Sequence, residues 1–202
     1  IRVLRLHGNL LRTVTSSVPV LTHLLELELS GNLLVSLDLG AIGMFAPALE
    51  SLDVSGNAIS YVTGMSNGPR GLRRLLMAHN ELFDLSWIAA ASEEKVCGHY
   101  LSELDIRDNP IQDVSQLEHL SPLSSLTHLS LSSCPATRHP GLLGTLLRST
   151  PQLQLLDSTP IHTGVESDEE DEEDEEEEEE EGEDGDGDGD GDGERRKEED
   201  SK

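Results

Sequence analysis

Residues 49–59 read LESLDVSGNAI, with Leu49, Leu52, Val54, Asn57 and Ile59 at offsets 0, 3, 5, 8 and 10. The same spacing recurs on both sides. Upstream it is carried by Leu24, Leu27, Leu29, Asn32 and Leu34, and before those by Ile1, Leu4, Leu6, Asn9 and Leu11. Downstream come Leu72, Leu75, Met77, Asn80 and Leu82, then Leu101, Leu104, Ile106, Asn109 and Ile111. A sixth copy has Leu126, Leu129 and Leu131, with Cys134 where the asparagine belongs. Successive copies start 23, 25, 23, 29 and 25 residues apart.

Self-similarity at this period in the form LxxLxLxxNxL specifies an α/β solenoid: a leucine-rich repeat horseshoe with one short parallel strand per repeat on its concave face. A strand of three or four residues cannot bury an apolar face alone. Stacked coils place successive leucines in one continuous column, so each coil depends on its neighbours. The asparagine amide both donates to and accepts from backbone groups that the bend leaves unpaired, and Asn9, Asn32, Asn57, Asn80 and Asn109 are expected to form a ladder. Cys134 replaces that role weakly.

The return segments vary. Ile111, Val114, Leu117, Leu120, Leu123 and Leu126 recur every third residue, which suits a 3₁₀-like return. Ser92–Tyr100 interrupts the fourth repeat, and Asn67–Gly71 reads as a loop on turn chemistry. After Pro140-Gly141, an amphipathic helix over Leu142–Leu147 and a last strand within Leu153–Asp157 are expected to cap the column. At the other end Ile1 already holds a strand position, so an upstream segment or a partner is expected to cover the first coil.

Charge divides the chain. Its 202 residues carry a formal charge of -26, from 40 acidic against 14 basic residues. From Glu166 to Lys202 there are 25 acidic and four basic residues, against 15 and ten before them. Residues 1–164 are therefore read as a repeat domain of about six repeats plus cap, and residues 165–202 as a polyacidic tail. From Ser167 on the tail has no apolar side chain to offset chain entropy, so disorder is expected. This charge repels nucleic-acid phosphates and attracts basic protein surfaces in a salt-dependent way. Cys97 and Cys134 are too few for a disulfide framework, and no apolar run is long enough to span a membrane. The expected partners are proteins with basic surfaces, with no direct nucleic acid and no membrane, and the chain is read as a monomer.

The tail holds three short motifs. The alternating Asp184 to Asp192 match most of a calcium loop, but its twelfth position is Arg195 rather than the bidentate Glu such a site requires. Arg195, Arg196 and Lys197 read first as a solubilising patch and second as a weak import signal. Ser167, followed by Asp168, Glu169 and Glu170, suits an acidophilic kinase.

No nucleophile elbow, phosphate-binding glycine loop or His/Cys metal-ligand cluster is present, so no catalytic residue, cofactor or metal is assigned. What remains is the concave surface. Strand side chains alternate, so offsets 2, 4 and 6 face outward. The partner-binding candidates there are Glu26, Glu28, Asp53, Leu76, Glu103, Asp105 and Arg107, read as two acidic clusters around an apolar centre at Leu76 and Ala78.

Taken together, the repeats, the cap stretches LTHLSLSSC (126–134) and PQLQLLD (151–157), the acidic tail and its basic end resemble the acidic leucine-rich nuclear phosphoprotein family. The chain departs from that pattern in having Leu155 where a Tyr is expected and no aromatic in Leu142–Leu147. The resemblance implies a nuclear and/or cytoplasmic adaptor that binds histones and inhibits protein phosphatase 2A. The period-three return also resembles the protein-phosphatase-1 regulatory leucine-rich repeat subunit class, which implies a regulatory or scaffold subunit of a phosphatase or of a cytoskeletal or ciliary complex.

Overall fold

In the computed structural model, which describes residues 1–15, 17–92 and 97–161, every repeat forms its strand two residues after its first leucine-type position. In chain order the strands are β1 Val3–Arg5, β2 Glu26–Glu28, β3 Ser36–Asp38, β4 Ser51–Asp53, β5 Tyr61–Thr63, β6 Arg74–Leu76, β7 Glu103–Asp105, β8 His128–Ser130, β9 Leu155–Leu156 and β10 Thr159–Pro160. The helices are α1 Leu39–Phe45 and α2 Leu142–Ser149. One eight-stranded sheet runs β1-β2-β4-β6-β7-β8-β9-β10, parallel except for β10. β3 and β5 make a separate parallel pair.

The register is unshifted from coil to coil, so Leu4, Leu27, Leu52, Leu75, Leu104 and Leu129 stand side by side. From Leu27 to Leu129 these central leucines are at most 2% exposed. The leucines at the other repeat positions fill the same column, making one apolar core along the solenoid. The first coil is different: Leu4, Leu6 and Leu11 are half-buried and Ile1 and Leu10 lie open to solvent.

The asparagine ladder forms. Asn32 Nδ2 donates to Leu29 O at 2.8 Å and to Leu6 O of the preceding coil at 2.9 Å, while its Oδ1 accepts from Leu11 N at 3.1 Å. Asn57, Asn80 and Asn109 repeat the arrangement. Cys134 continues it with a thiol donating to Ile106 O at 3.2 Å. Asp157 ends the series, its Oδ1 accepting from Leu131 N and Ser132 N, both at 2.7 Å.

The returns follow their sequences. Val114–Leu120 is a 3₁₀ segment with Leu117 and Leu120 buried, as the period of three requires. Ser86–Ser92 and Met65–Asn67 are also 3₁₀, so Asn67 ends a turn of helix and the loop begins only at Gly68. The second repeat instead forms α1. Asp38 caps it, accepting from Ala41 N at 3.1 Å, and Leu39, Ile42 and Phe45 are buried at helical spacing. At the C-terminal end α2 runs two residues past the expected helix, the last strand shrinks to β9, and β10 folds back antiparallel on it. The interruption after Ser92 reaches the core, because Cys97 is wholly buried with its Sγ close against Gly68. The tail readings, including the calcium-like run, Ser167 and the basic cluster, lie outside the described residues.

Burial pushes the Cys97 thiol up to about 12 and raises that of Cys134 as well. The thiolate is the reactive form, so both are protected by access and by proton affinity. A thiol-specific chromogenic reagent at pH 8 is expected to leave the folded protein unmodified and to titrate both cysteines after urea unfolding. Prompt labelling of the native chain contradicts this packing.

Candidate protein-interaction surface

Three columns of side chains stand on the concave sheet. The first is Val3, Glu26, Ser51, Arg74, Glu103 and His128, and the second is Arg5, Glu28, Asp53, Leu76, Asp105 and Ser130. The third, just past the strand ends, holds His7, Ser30, Ser55, Ala78, Arg107 and Ser132. Unshifted register makes residues 23 to 29 apart in the sequence into nearest neighbours, and charge follows from that adjacency.

All seven sequence candidates lie on this face, but they are not equivalent. Glu28 accepts from Arg5 Nε at 2.9 Å and has His7 Nδ1 at 3.4 Å. Glu103 takes Arg74 in a two-pronged pair, at 2.7 and 3.3 Å. Asp105 is buried, contrary to the open position expected for it. One of its oxygens forms an ion pair with Arg107 Nη2 at 2.9 Å and the other accepts a hydrogen bond from Arg107 N at 3.2 Å. The pair holds the Arg107 side chain in place, and Arg107 is the exposed member of it. Ala78 is buried too, so the apolar centre reduces to the half-buried Leu76.

Glu26 and Asp53 make no ion pair among the described residues. Glu26 is exposed, and Asp53 Oδ1 accepts only from Ser55 N at 2.9 Å. Asp53 also stands directly beside Glu28, a like charge. Arg74 lies next to this group: its hydrogen bond to Glu103, and then the charges of Glu103, Glu26 and Asp53, raise its pKa above the ordinary guanidinium value. The face is thus charge-interleaved, with a local acidic excess at Glu26, Glu28 and Asp53 between Arg5 and Arg74. Sequence reading places both arginines at outward positions of the repeat but leaves them out of the candidate set.

Exposed pairs of this kind contribute about 0–1 kcal/mol each to stability, so they do not hold the fold together. What they do is keep long side chains in fixed places on a rigid sheet, which suits recognition of another charged surface. Among the described residues no group of three or more His, Cys, Asp or Glu side chains converges as a metal site requires.

A family model described as Leucine Rich repeat matches residues 99–115, the stretch holding β7 and Asn109. No curated protein matches the chain. Among solved structures, the chain is similar to the Drosophila melanogaster SNF/U2A′ complex, at 20% identity over 80% of this chain and 75% of that one, TM-score 0.48. It is similar to human trophoblast glycoprotein at 22% identity over 79% and 70%, TM-score 0.47. Internalin C2 from Listeria monocytogenes matches at 23% identity over 76% and 69%, TM-score 0.43. The strand order, register and asparagine ladder described above make the fold a leucine-rich repeat solenoid with its short parallel strands on the concave face.

Proposed function

We propose that this chain is a non-catalytic protein–protein interaction module whose concave face takes a partner with basic groups on its surface. The observation that carries the reading is the acidic excess at Glu26, Glu28 and Asp53, in which Glu26 and Asp53 have no cation of their own among the described residues. A partner's Lys or Arg supplies the missing charge, Leu76 offers a small apolar contact, and the exposed Arg74 and Arg107 reject partners that bring only basic groups there. The polyacidic residues 165–202 act as a second, less shaped attraction for the same partner and raise its effective concentration at the face. Histones are the partner class implied by the resemblance to acidic nuclear adaptors, with a nuclear and/or cytoplasmic location. The second reading, a phosphatase or cytoskeletal scaffold subunit, is favoured by the 3₁₀ returns and needs no tail.

Binding of core histones to three chains tests this: the full chain, the full chain with Glu26→Gln and Asp53→Asn, and a chain ending at Val165. Salt from about 50 to 300 mM spans the range in which screening weakens exposed charge pairs. The expected result is binding by the full chain that falls steeply with salt, and a loss of about tenfold in the double variant, from two charge contacts of about 0.5–1 kcal/mol each. If the double variant binds like its parent while the shortened chain does not bind, the tail alone carries the attraction and the concave reading is wrong. If the full chain does not bind histones at any salt concentration, the basic-partner reading fails and the scaffold reading replaces it.

A further inference from the structure

We propose a second binding site on the outer side of the solenoid, a cleft between the third and fourth coils that takes one organic cation: an arginine guanidinium or a methylated lysine ammonium of a partner polypeptide. The cleft has a volume of about 230 Å³ and is walled by Tyr61, Val62, Phe83, Asp84, Ser86 and Trp87. It opens where the small β3–β5 sheet stops. β5 pairs with β3 alone, and the next coil presents a 3₁₀ segment, Ser86–Ser92, in place of a third strand. The backbone spacing set by strand pairing is lost there, and a gap remains.

The composition of that gap is unusual for this chain. The whole sequence has one Trp, two Tyr and two Phe, and three of these five aromatics line the same cleft. Tyr61 and Phe83 are 56% and 62% exposed, so their rings are not serving the core. Trp87 is half-buried, and its Nε1 is the one buried side-chain nitrogen or oxygen among the described residues without a hydrogen-bond partner.

Asp84 decides the chemistry. Its two oxygens accept from Ser86 N at 2.8 Å and Ser86 Oγ at 2.6 Å, which fixes the carboxylate among the rings. An apolar side chain seated here would strip water from that carboxylate without replacing its interactions, which is costly. An anion would meet a like charge. A cation is the ligand that gains from both aromatic rings and a fixed carboxylate, the two features that recognise guanidinium and quaternary ammonium groups. The volume suits one side chain rather than a drug-sized ligand. This site lies on different residues from the concave face and does not depend on that reading.

Trp87 is the only tryptophan, so its emission reports on the cleft alone. The full chain, in about 150 mM salt to suppress diffuse attraction to the acidic tail, is titrated with N-acetyl-arginine methylamide, N-acetyl-trimethyllysine methylamide, and the neutral controls N-acetyl-citrulline and N-acetyl-norleucine methylamides. The expected result is a saturable emission change with at least one cation, weakened at least about fivefold by Asp84→Asn and by Phe83→Leu, as for loss of a charge or a ring face. Far-UV circular dichroism confirms that each variant is folded, and Glu26→Gln is expected to leave the titration unchanged. Saturation by arginine alone or by trimethyllysine alone supports the site and names its source. No saturable change with either cation, equal response to the neutral analogues, or indifference to Asp84→Asn overturns it.

Discussion

Replacing Gly64 with alanine is expected to destabilise the protein by about 3–5 kcal/mol, combining left-handed strain with overpacking against backbone. Gly64 sits at φ 73°, where an alanine is strained in any surroundings. Its surroundings are also closed, since a Cβ there would run into Gly40 N and lie 2.5 Å from Asp38 Oδ1. Neither neighbour is free to yield. Gly40 lies in the first turn of α1, and Asp38 Oδ1 is the group that caps that helix. Gly43 makes the same point one turn later, because a Cβ there would run into Asn67 O and lie 2.8 Å from Gly68 C. The two coils touch backbone to backbone along the face of α1, and Gly43→Ala is expected to fall in the same range. Gly144 in α2 supplies the control: nothing lies within 4 Å of its Cβ position, so Gly144→Ala should stabilise by about 0.5–1 kcal/mol through helix propensity. Urea midpoints at constant slope measure all three. A Gly43→Ala midpoint equal to the parent's would mean the close coil contact is not there.

The strand positions were legible because the repeat constrains them twice, by spacing within a copy and by copy-to-copy identity. The second repeat's helix was not, and its glycines are the reason. Gly40 and Gly43 lower helix propensity and hide the Leu39, Ile42 and Phe45 spacing, yet they are what lets α1 approach the next coil. Cap and burial outweigh propensity. Asp105 shows a different limit: alternation gives the direction of a side chain, not its exposure, and Asp105, paired with Arg107, is buried at an outward position.

Pairing on the concave face was legible from the repeats as well. Once copies are aligned on their asparagines, Arg5 falls beside Glu28 and Arg74 beside Glu103. Counting charges strand by strand makes the face look more acidic than it is. The same alignment brings Tyr61, four residues past Asn57, next to Phe83 and Trp87, three and seven past Asn80, so the outer cleft had a signal in the sequence too.

Asn109→Ala is expected to destabilise by about 3–5 kcal/mol, and the size of the effect should fall along the ladder toward the first coil. Asn109 is 2% exposed. Its Nδ2 serves Ile106 O and Met77 O, both at 3.0 Å, and its Oδ1 serves Leu82 N at 2.9 Å. Of these three backbone partners, alanine leaves Leu82 N unpaired in the interior, at about 1–3 kcal/mol, while Ile106 O and Met77 O keep the Cys134 thiol and Asn80 Nδ2 as donors and lose one hydrogen bond each, at about 0.5–1.5 kcal/mol. Two of the three, Met77 O and Leu82 N, belong to the preceding coil, so the loss reaches the nearest-neighbour coupling on which a solenoid depends. Asn9 stands at the other extreme. It is exposed, and its amide donates only within its own turn, to Leu6 O at 2.9 Å and His7 O at 3.3 Å, so Asn9→Ala should cost about 1 kcal/mol or less. Cys134→Ala lies between them, at about 1–2 kcal/mol, for one weak thiol donor and a small buried volume. It is tolerated there because Asp157 takes over the backbone of the last coil. Equal losses for Asn9 and Asn109 in urea titration would show that the asparagines act through local turn formation, and the cross-coil ladder would then not be what couples the repeats.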